Sequence, residues 1–398
     1  MAKLKISDLE LDGKKVVMRV DFNVPIKNGD ITDDKRIVEA LPSIKHVIGN
    51  GGTLILLSHL GRPKGEPDPE FSLKPVAKHL AGLLNKNVIF GEDCVGSKAS
   101  SAVSKAGKGD VVLLENVRFH KGETKNDPAM SKELASLGDV FVNDAFGSSH
   151  RAHCSVAGIT DFLQPAAAGF LLDKEIKFLS ESVNDPVKPF VAVLGGAKVS
   201  DKIGVIENLI KKVNTIIIGG GMAYTFFKAM GLPIGNSLLE EDKVELAGEL
   251  IVKAKANGVE LLLPVDSVVA KAFDNDAERK TVGQDGIEDG WLALDIGPET
   301  TRIYSDRIRD AKTVIWNGPM GVFEMSNFAK GTFAVAKAMA DATAKGATTI
   351  IGGGDSASAI KKAGLETKVS HVSTGGGASL EYLEGKELPG ITCLTEKN

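Results

Sequence analysis

Thr348-Thr349-Ile350-Ile351-Gly352-Gly353-Gly354-Asp355-Ser356-Ala357-Ser358-Ala359-Ile360-Lys361-Lys362-Ala363-Gly364 reads as one structural unit. Its β-branched start suits a short strand, its three glycines a turn, and Ala357 to Ala363 a helix. Lys361 and Lys362 fall in the last turn of that helix, and Gly364 in the C′ position that ends it. The same order of strand, glycine turn and helix recurs. Phe190 to Leu194 opens onto Gly195-Gly196-Ala197-Lys198, Thr215 to Ile218 onto Gly219-Gly220-Gly221, and Val314 to Trp316 onto Asn317-Gly318-Pro319. Short apolar runs alternating with helix-period segments are the pattern of βαβ units building a parallel sheet.

The first half has equivalent strands but different loops. Val16 to Val20 runs into Asp21-Phe22-Asn23, Leu54 to Leu57 into Ser58-His59-Leu60-Gly61-Arg62, and Val111 to Leu114 into Glu115-Asn116-Val117-Arg118. Val140 to Val142 leads toward His150-Arg151. Guanidinium groups clamp a small charged molecule, whereas glycine turns let backbone N–H groups approach polyphosphate. The division therefore points to two anionic partners held in two different ways.

A chain of 398 residues exceeds the size at which one core keeps growing, so two domains are expected. About five strands precede residue 160 and about six follow residue 189. Between them Leu172, Ile176, Leu179 and Val183 make one helical face that stops at Asn184-Asp185-Pro186. The expected fold class is α/β, two doubly wound parallel-sheet (Rossmann-like) domains joined by a hinge helix. The boundaries are 1–171, a connector at 172–188, and 189–385. The alternative is a single larger sheet with this helix as another crossover. Phe273 to Thr301 is the least regular stretch, and a loop or small hairpin is expected there.

A net charge of −4 argues against a nucleic-acid binder with a broad basic face. Cys94, Cys154 and Cys393 are too few and too scattered for a disulfide framework or a C-x-x-C metal pair. No stretch approaches a membrane span and the N-terminus lacks a signal-peptide apolar region, so the expected compartment is the cytoplasm.

Ser200 is placed as the cap of a helix with apolar positions Ile203, Ile206, Ile210 and Val213, which puts Lys202 in its first turn. A cation there opposes the helix dipole unless an anion is bound. With Lys198 and two glycines upstream, the segment suits phosphate, although two solvated lysines are the plainer reading. Asp355 reads either as an N-cap or as a ligand of Mg²⁺, which takes one or two carboxylates plus nucleotide phosphates. Thr374-Gly375-Gly376-Gly377 opens a third such helix. The P-loop, dinucleotide-fingerprint, G-x-S-x-G and H-E-x-x-H patterns are all missing from the sequence, which leaves phosphoryl transfer by positioned cations. Arg36, His59, Arg62, Arg118, His150 and Arg151 lie at or near strand ends, and a molecule with both a phosphate and a carboxylate would account for so many donors. Asp21 and Asn23 suit a hydroxyl of that molecule, with Asp21 equally readable as a turn residue.

These segments together resemble the phosphoglycerate kinase family over essentially the whole chain. The resemblance is carried by Arg19 to Pro25, Ser58 to Pro63, Glu115 to Phe119, Asp144 to His153, Gly195 to Lys202, Trp316 to Glu324, and the glycine runs at 352 and 375. It implies reversible transfer between the acyl phosphate of 1,3-bisphosphoglycerate and ADP, giving 3-phosphoglycerate and ATP. It further implies that Asp21, Phe22, Asn23, Arg36, His59, Leu60, Gly61, Arg62, Arg118, His150 and Arg151 hold the glycerate. Gly196, Ala197, Lys198, Lys202, Gly220, Asn317, Pro319, Glu324, Gly353, Gly354, Asp355 and Ser356 would hold Mg²⁺-bound ADP or ATP, with Glu324 at the ribose and Asp355 at the metal. Arg36, Lys198, Gly354 and Gly377 would act on the phosphoryl group in flight. Ser356 stands where many members carry threonine. By the same resemblance, residues from about 386 to 398 return to the N-terminal domain, the protein is a monomer, and closure of the two domains assembles the site. A kinase for another small carboxylate, with too many cations for its acceptor, and a two-domain solute-binding protein, which leaves Lys198, Lys202 and Asp355 without a role, are the alternatives.

Overall fold

The apolar runs become strands buried on both faces, as parallel strands covered by helices must be. The computed structural model describes residues 2–397. Its first part contains β1 (Lys15–Arg19), a small hairpin of β2 (Ile26–Lys27) and β3 (Asp30–Ile31), then β4 (Thr53–Leu57), β5 (Val88–Gly91), β6 (Val111–Leu114), β7 (Val140–Asn143) and β8 (Ala166–Ala168). Apart from the hairpin these form a six-stranded parallel sheet in the order β5-β6-β4-β1-β7-β8. Parallel pairing brings every carboxyl end to one edge, so the loops after β1, β4, β6 and β7 share that edge.

The second part repeats the scheme. β9 (Phe190–Leu194), β10 (Thr215–Ile218), β11 (Glu260–Leu262), β15 (Thr313–Asn317), β16 (Thr348–Gly352) and β17 (His371–Val372) form a parallel sheet in the order β11-β10-β9-β15-β16-β17. The irregular stretch holds more order than a loop or hairpin. β12 (Asp266–Ala270) pairs antiparallel with both β13 (Arg279–Gly283) and β14 (Leu292–Ile296), making a separate three-stranded sheet. Trp291 anchors it, buried in a small core with Tyr224, Phe227, Ile234, Val269 and Ile287, and covered by the ammonium groups of Lys271 and Lys280. A half-exposed edge strand such as β13 carries no apolar run, which is why the sequence pattern does not show it.

The chain divides into two compact units, Met1–Ile176 with Glu387–Asn398, and Lys177–Lys386. The division falls inside the helix Phe170–Asn184. Asp144 accepts the Leu171 and Leu172 N–H groups at 2.9 and 3.1 Å, satisfying two amides of that helix's first turn. The C-terminal segment is stitched to the first unit. Asn143 donates to the Gly390 carbonyl at 2.7 Å, Gly390 N–H to the Ser149 carbonyl at 2.8 Å, and Leu4 N–H to the Thr395 carbonyl at 2.8 Å.

Candidate active site

In the first unit the basic side chains converge at the shared carboxyl edge. His59 is buried, its Nδ1 3.0 Å from Arg19 Nη2, and burial together with Arg19, Arg118, Arg36 and His153 pushes its pKa well below the usual histidine value. A guanidinium can only donate, so Nδ1 accepts and the neutral ring carries its proton on Nε2. His153 is held down to about 4 by burial and by Arg19, Arg118, Arg151 and His150. The guanidinium groups that depress both histidines lie close around them, so the loops of four strands supply one positive basin.

Hydrogen bonds lock the basin's walls. Arg36, in the first turn of the helix Lys35–Gly49, donates to Asp21 Oδ1 at 3.0 Å and to the Asn23 carbonyl at 3.2 Å. Asp21 Oδ1 also accepts Asn23 N–H at 3.2 Å, so Asp21 does serve as a turn residue. Asn23 Oδ1 accepts Gly61 N–H at 2.9 Å, and Arg118 Nη1 donates to the Gly61 carbonyl at 2.9 Å. Gly61 adopts φ 62°, and a Cβ there would lie 2.2 Å from the Phe71 ring, so this junction admits only glycine. Phe22 and Leu60 are core side chains that the structure does not bring into the basin. Their backbones shape it instead, Phe22 N–H donating to Ser58 Oγ at 2.9 Å and the Leu60 carbonyl accepting from Asn116 at 2.7 Å. Arg62 and Arg151 are exposed.

Sequence reasoning assigned no role to the residues behind this wall. Arg19 is fully buried and donates to Ser155 Oγ at 2.8 Å, while Ser155 donates to the buried Glu123 carboxylate at 2.6 Å. An arginine inside an apolar run was the available signal, because a buried guanidinium needs partners. Glu123 and Ser155, far from β1 in sequence, carried none.

In the second unit the glycine turns line a cleft of about 370 Å³, bordered by Gly195 to Lys198, Lys202, Asn317 to Pro319, Gly353 to Ser356 and Gly376-Gly377. An adjoining cavity of about 390 Å³ shares Gly196, Ala197, Pro319 and Asp355, and adds Gly220, Tyr224, Leu238, Phe273, Asp295 and Glu324. A glycine-lined polar cleft continuous with an apolar, carboxylate-edged one matches a polyphosphate carrying a flat organic group.

Lys202 reaches Asn317 Oδ1 at 2.6 Å, while Asn317 Nδ2 is buried without a partner. Burial lowers the pKa of Lys202 against the opposing pull of Asp201, Asp355 and Glu384. Lys202 is the N-cap of the helix Ile203–Leu209 rather than part of its first turn. Ser200 does not cap it, because Glu240 occupies that serine, accepting from Oγ at 2.5 Å and from N–H at 3.0 Å. Lys198 is exposed.

Asp355 is likewise no N-cap. Gly353, at φ 85°, takes that position, leaving Asp355 exposed in the first turn of the helix Gly354–Lys362, with Gly364 at φ 68° just beyond its end. Ser356 is buried and accepts Gly318 N–H at 2.6 Å, fixing the turn after β15. Gly318 sits at φ 103°, where a Cβ would meet the Gly195 carbonyl oxygen at 2.1 Å. Asp295, also unforeseen, is raised to about 7 by burial and accepts the Gly331 and Ile296 N–H groups at 2.9 Å each.

A basin of positive charge on one parallel sheet, and a glycine-lined cleft on another, have the form expected of a nucleotide-using phosphotransferase of two α/β units. The family model for phosphoglycerate kinase matches residues 6–386. Proteins named phosphoglycerate kinase from Clostridium novyi (strain NT) and Thermosipho africanus (strain TCF52B) are 60% and 59% identical, covering 99% and 100% of this chain and 99% of each relative. The solved phosphoglycerate kinase of Coxiella burnetii superimposes with a TM-score of 0.90 at 44% identity, and that of Pyrococcus horikoshii OT3 with 0.84 at 33%, each covering 98% of both chains. The chain belongs to the phosphoglycerate kinase family. It is a glycolytic kinase that exchanges a phosphoryl group between 1,3-bisphosphoglycerate and ADP, and it uses ATP and ADP as substrates. Among the described residues no helix is long and apolar enough to cross a membrane.

Proposed function

We propose that the first unit's basin holds 3-phosphoglycerate or 1,3-bisphosphoglycerate and the second unit's cleft holds the nucleotide, so that each reactant has its own preorganised unit. The convergence of Arg36, His59, Arg118, His150, Arg151 and Arg62 on one sheet edge carries this reading, since it exceeds what a carboxylate without a phosphate needs. Lys202 and the partnerless Asn317 amide supply donors for the nucleotide phosphates, with glycine-turn amides around them. Glu324 borders the adjoining cavity and is assigned to the ribose, beside Gly220 and Pro319.

Mg²⁺ fits the donor set, because Asp355 is an exposed carboxylate at the cleft and this hard ion combines one or two carboxylates with phosphate oxygens. When bound, it neutralises charge on the nucleotide phosphates. In the forward reaction a terminal β-phosphate oxygen of ADP attacks the acyl phosphorus, the phosphorus–carboxyl bond breaks, and 3-phosphoglycerate departs as a carboxylate. Arg36, Lys198 and the amides of Gly354 and Gly377 are assigned to the charge that spreads over the migrating group. Transfer requires the units, linked by the helix Phe170–Asn184, to close with both substrates bound, which also excludes water. The protein acts in the cytoplasm as a monomer, without nucleic acid. A coupled assay with 3-phosphoglycerate, ATP and Mg²⁺ tests the reading: product must depend on all three, and acetate in place of 3-phosphoglycerate must give none.

A further inference from the structure

We propose that Asp93, Cys94 and His120 form a binding site for one borderline-soft divalent cation, of which Zn²⁺ is the natural case, on the first unit and separate from the nucleotide cleft. Each of the three offers a ligand atom, and these atoms lie within 4.8 Å of one another; among the described residues this is the one such group. Topology makes the cluster. β5 and β6 are neighbours in parallel register, Val88 opposite Val111 and Gly91 opposite Leu114. Asp93 and Cys94 follow the end of β5, and His120 follows β6 after the 3-10 turn Val117–Phe119, so the two loops meet at the same edge.

The local bonds fix the donors. Asp93 Oδ1 accepts Cys94 N–H at 2.7 Å, folding the carboxylate back over its neighbour, and it lies 2.7 Å from His120 Nε2. The side chains of His120 and Asp93 are 33% and 35% exposed, whereas Cys94 is fully buried. The carboxylate and the imidazole are thus open to solvent, with the buried cysteine's sulfur within reach of both. Tetrahedral zinc, with bonds of about 2.0–2.3 Å, places its ligand atoms roughly 3.3–3.5 Å apart. Reaching this geometry takes about half an ångström of opening between Asp93 and His120, now 2.7 Å apart, and an approach of the three ligand atoms from within the present 4.8 Å.

Charge and softness agree with the assignment. A thiolate and a carboxylate together balance a divalent ion, with a neutral imidazole as third ligand and one position left for water. Sulfur and imidazole select such an ion over Mg²⁺. The competing account is an ordinary histidine–aspartate pair above a buried core cysteine.

Co²⁺ and Zn²⁺ titrations of the full chain in excess Mg²⁺ decide between them. The expected result is one equivalent of Co²⁺ per chain with a thiolate-to-cobalt charge-transfer band in the near ultraviolet, bleached by one equivalent of Zn²⁺. Cys94→Ser abolishes the band, and His120→Gln, at a partly exposed position that keeps the fold, weakens Zn²⁺ binding at least about tenfold. The double variant Cys154→Ser/Cys393→Ser leaves both unchanged. No band in the wild-type chain, a band that survives Cys94→Ser, or one lost in the double variant overturns the proposal.

Discussion

Lys202 Nζ stands 2.6 Å from Asn317 Oδ1, joining the start of one helix to the end of β15 across the mouth of the glycine cleft. The contact orients the Asn317 amide by its oxygen, so its buried Nδ2 is left for a ligand. On the proposed assignment, Asn317→Ala removes one donor to the nucleotide, and it frees Lys202 from its restraint. Hydrogen bonds to charged groups contribute about 1.5–3 kcal/mol, so ADP affinity should fall roughly 10- to 100-fold by calorimetry, with 3-phosphoglycerate affinity unchanged. Equal affinity for ADP in the variant would remove Asn317 from the site.

Arg36 is held by Asp21 and by the Asn23 carbonyl before any ligand arrives. If it meets the migrating group, Arg36→Ala should lower kcat by on the order of 10³ to 10⁵, as loss of a transition-state arginine does elsewhere, and Lys198→Ala should act similarly. Steady-state kinetics at saturating substrates reads this directly. A variant that changed KM alone would make Arg36 a ground-state binder.

Gly318 is caught between its own φ of 103° and the Gly195 carbonyl. Gly318→Ala should therefore cost about 1–3 kcal/mol in backbone strain, with a further loss from displacing the turn that Ser356 anchors. Denaturant unfolding gives the stability, and ADP titration shows whether the displaced turn weakens the nucleotide site.

Asp144 and Asp295 are both raised to about 7 by burial. Between pH 4 and 7 the folded chain keeps protons that the unfolded chain has lost, so these groups make stability fall as pH rises through that window. His59 and His153 act in the opposite sense, since the folded chain refuses protons that the unfolded chain binds below about 6.5. Asp144→Asn isolates one contribution. Relative to wild type, its unfolding free energy should improve by roughly 1–4 kcal/mol between pH 5 and pH 8. Parallel pH profiles for the two proteins would show that Asp144 does not titrate there.

The parallel sheets were legible because strands buried on both faces are continuous apolar runs, and Gly364 was legible because a helix end needs a residue at positive φ. The antiparallel sheet was not, since β13 alternates between exposed and half-exposed positions and its anchor is the single residue Trp291. In the site, Arg118 and Lys202 stood out by charge. Glu123, Ser155 and Asp295 did not, because what makes them important is burial against partners distant in sequence. Ser200 misled for a related reason: its capping hydroxyl is captured by Glu240, 40 residues away.

The central claim, that each reactant is held by its own unit, is tested most directly by crossed calorimetric titrations of two variants. Lys202→Ala should weaken ADP at least about tenfold while binding 3-phosphoglycerate as wild type does, and Arg118→Ala should do the reverse. If either substitution weakened both ligands equally, the two anions would not have separate seats, and the account would fail.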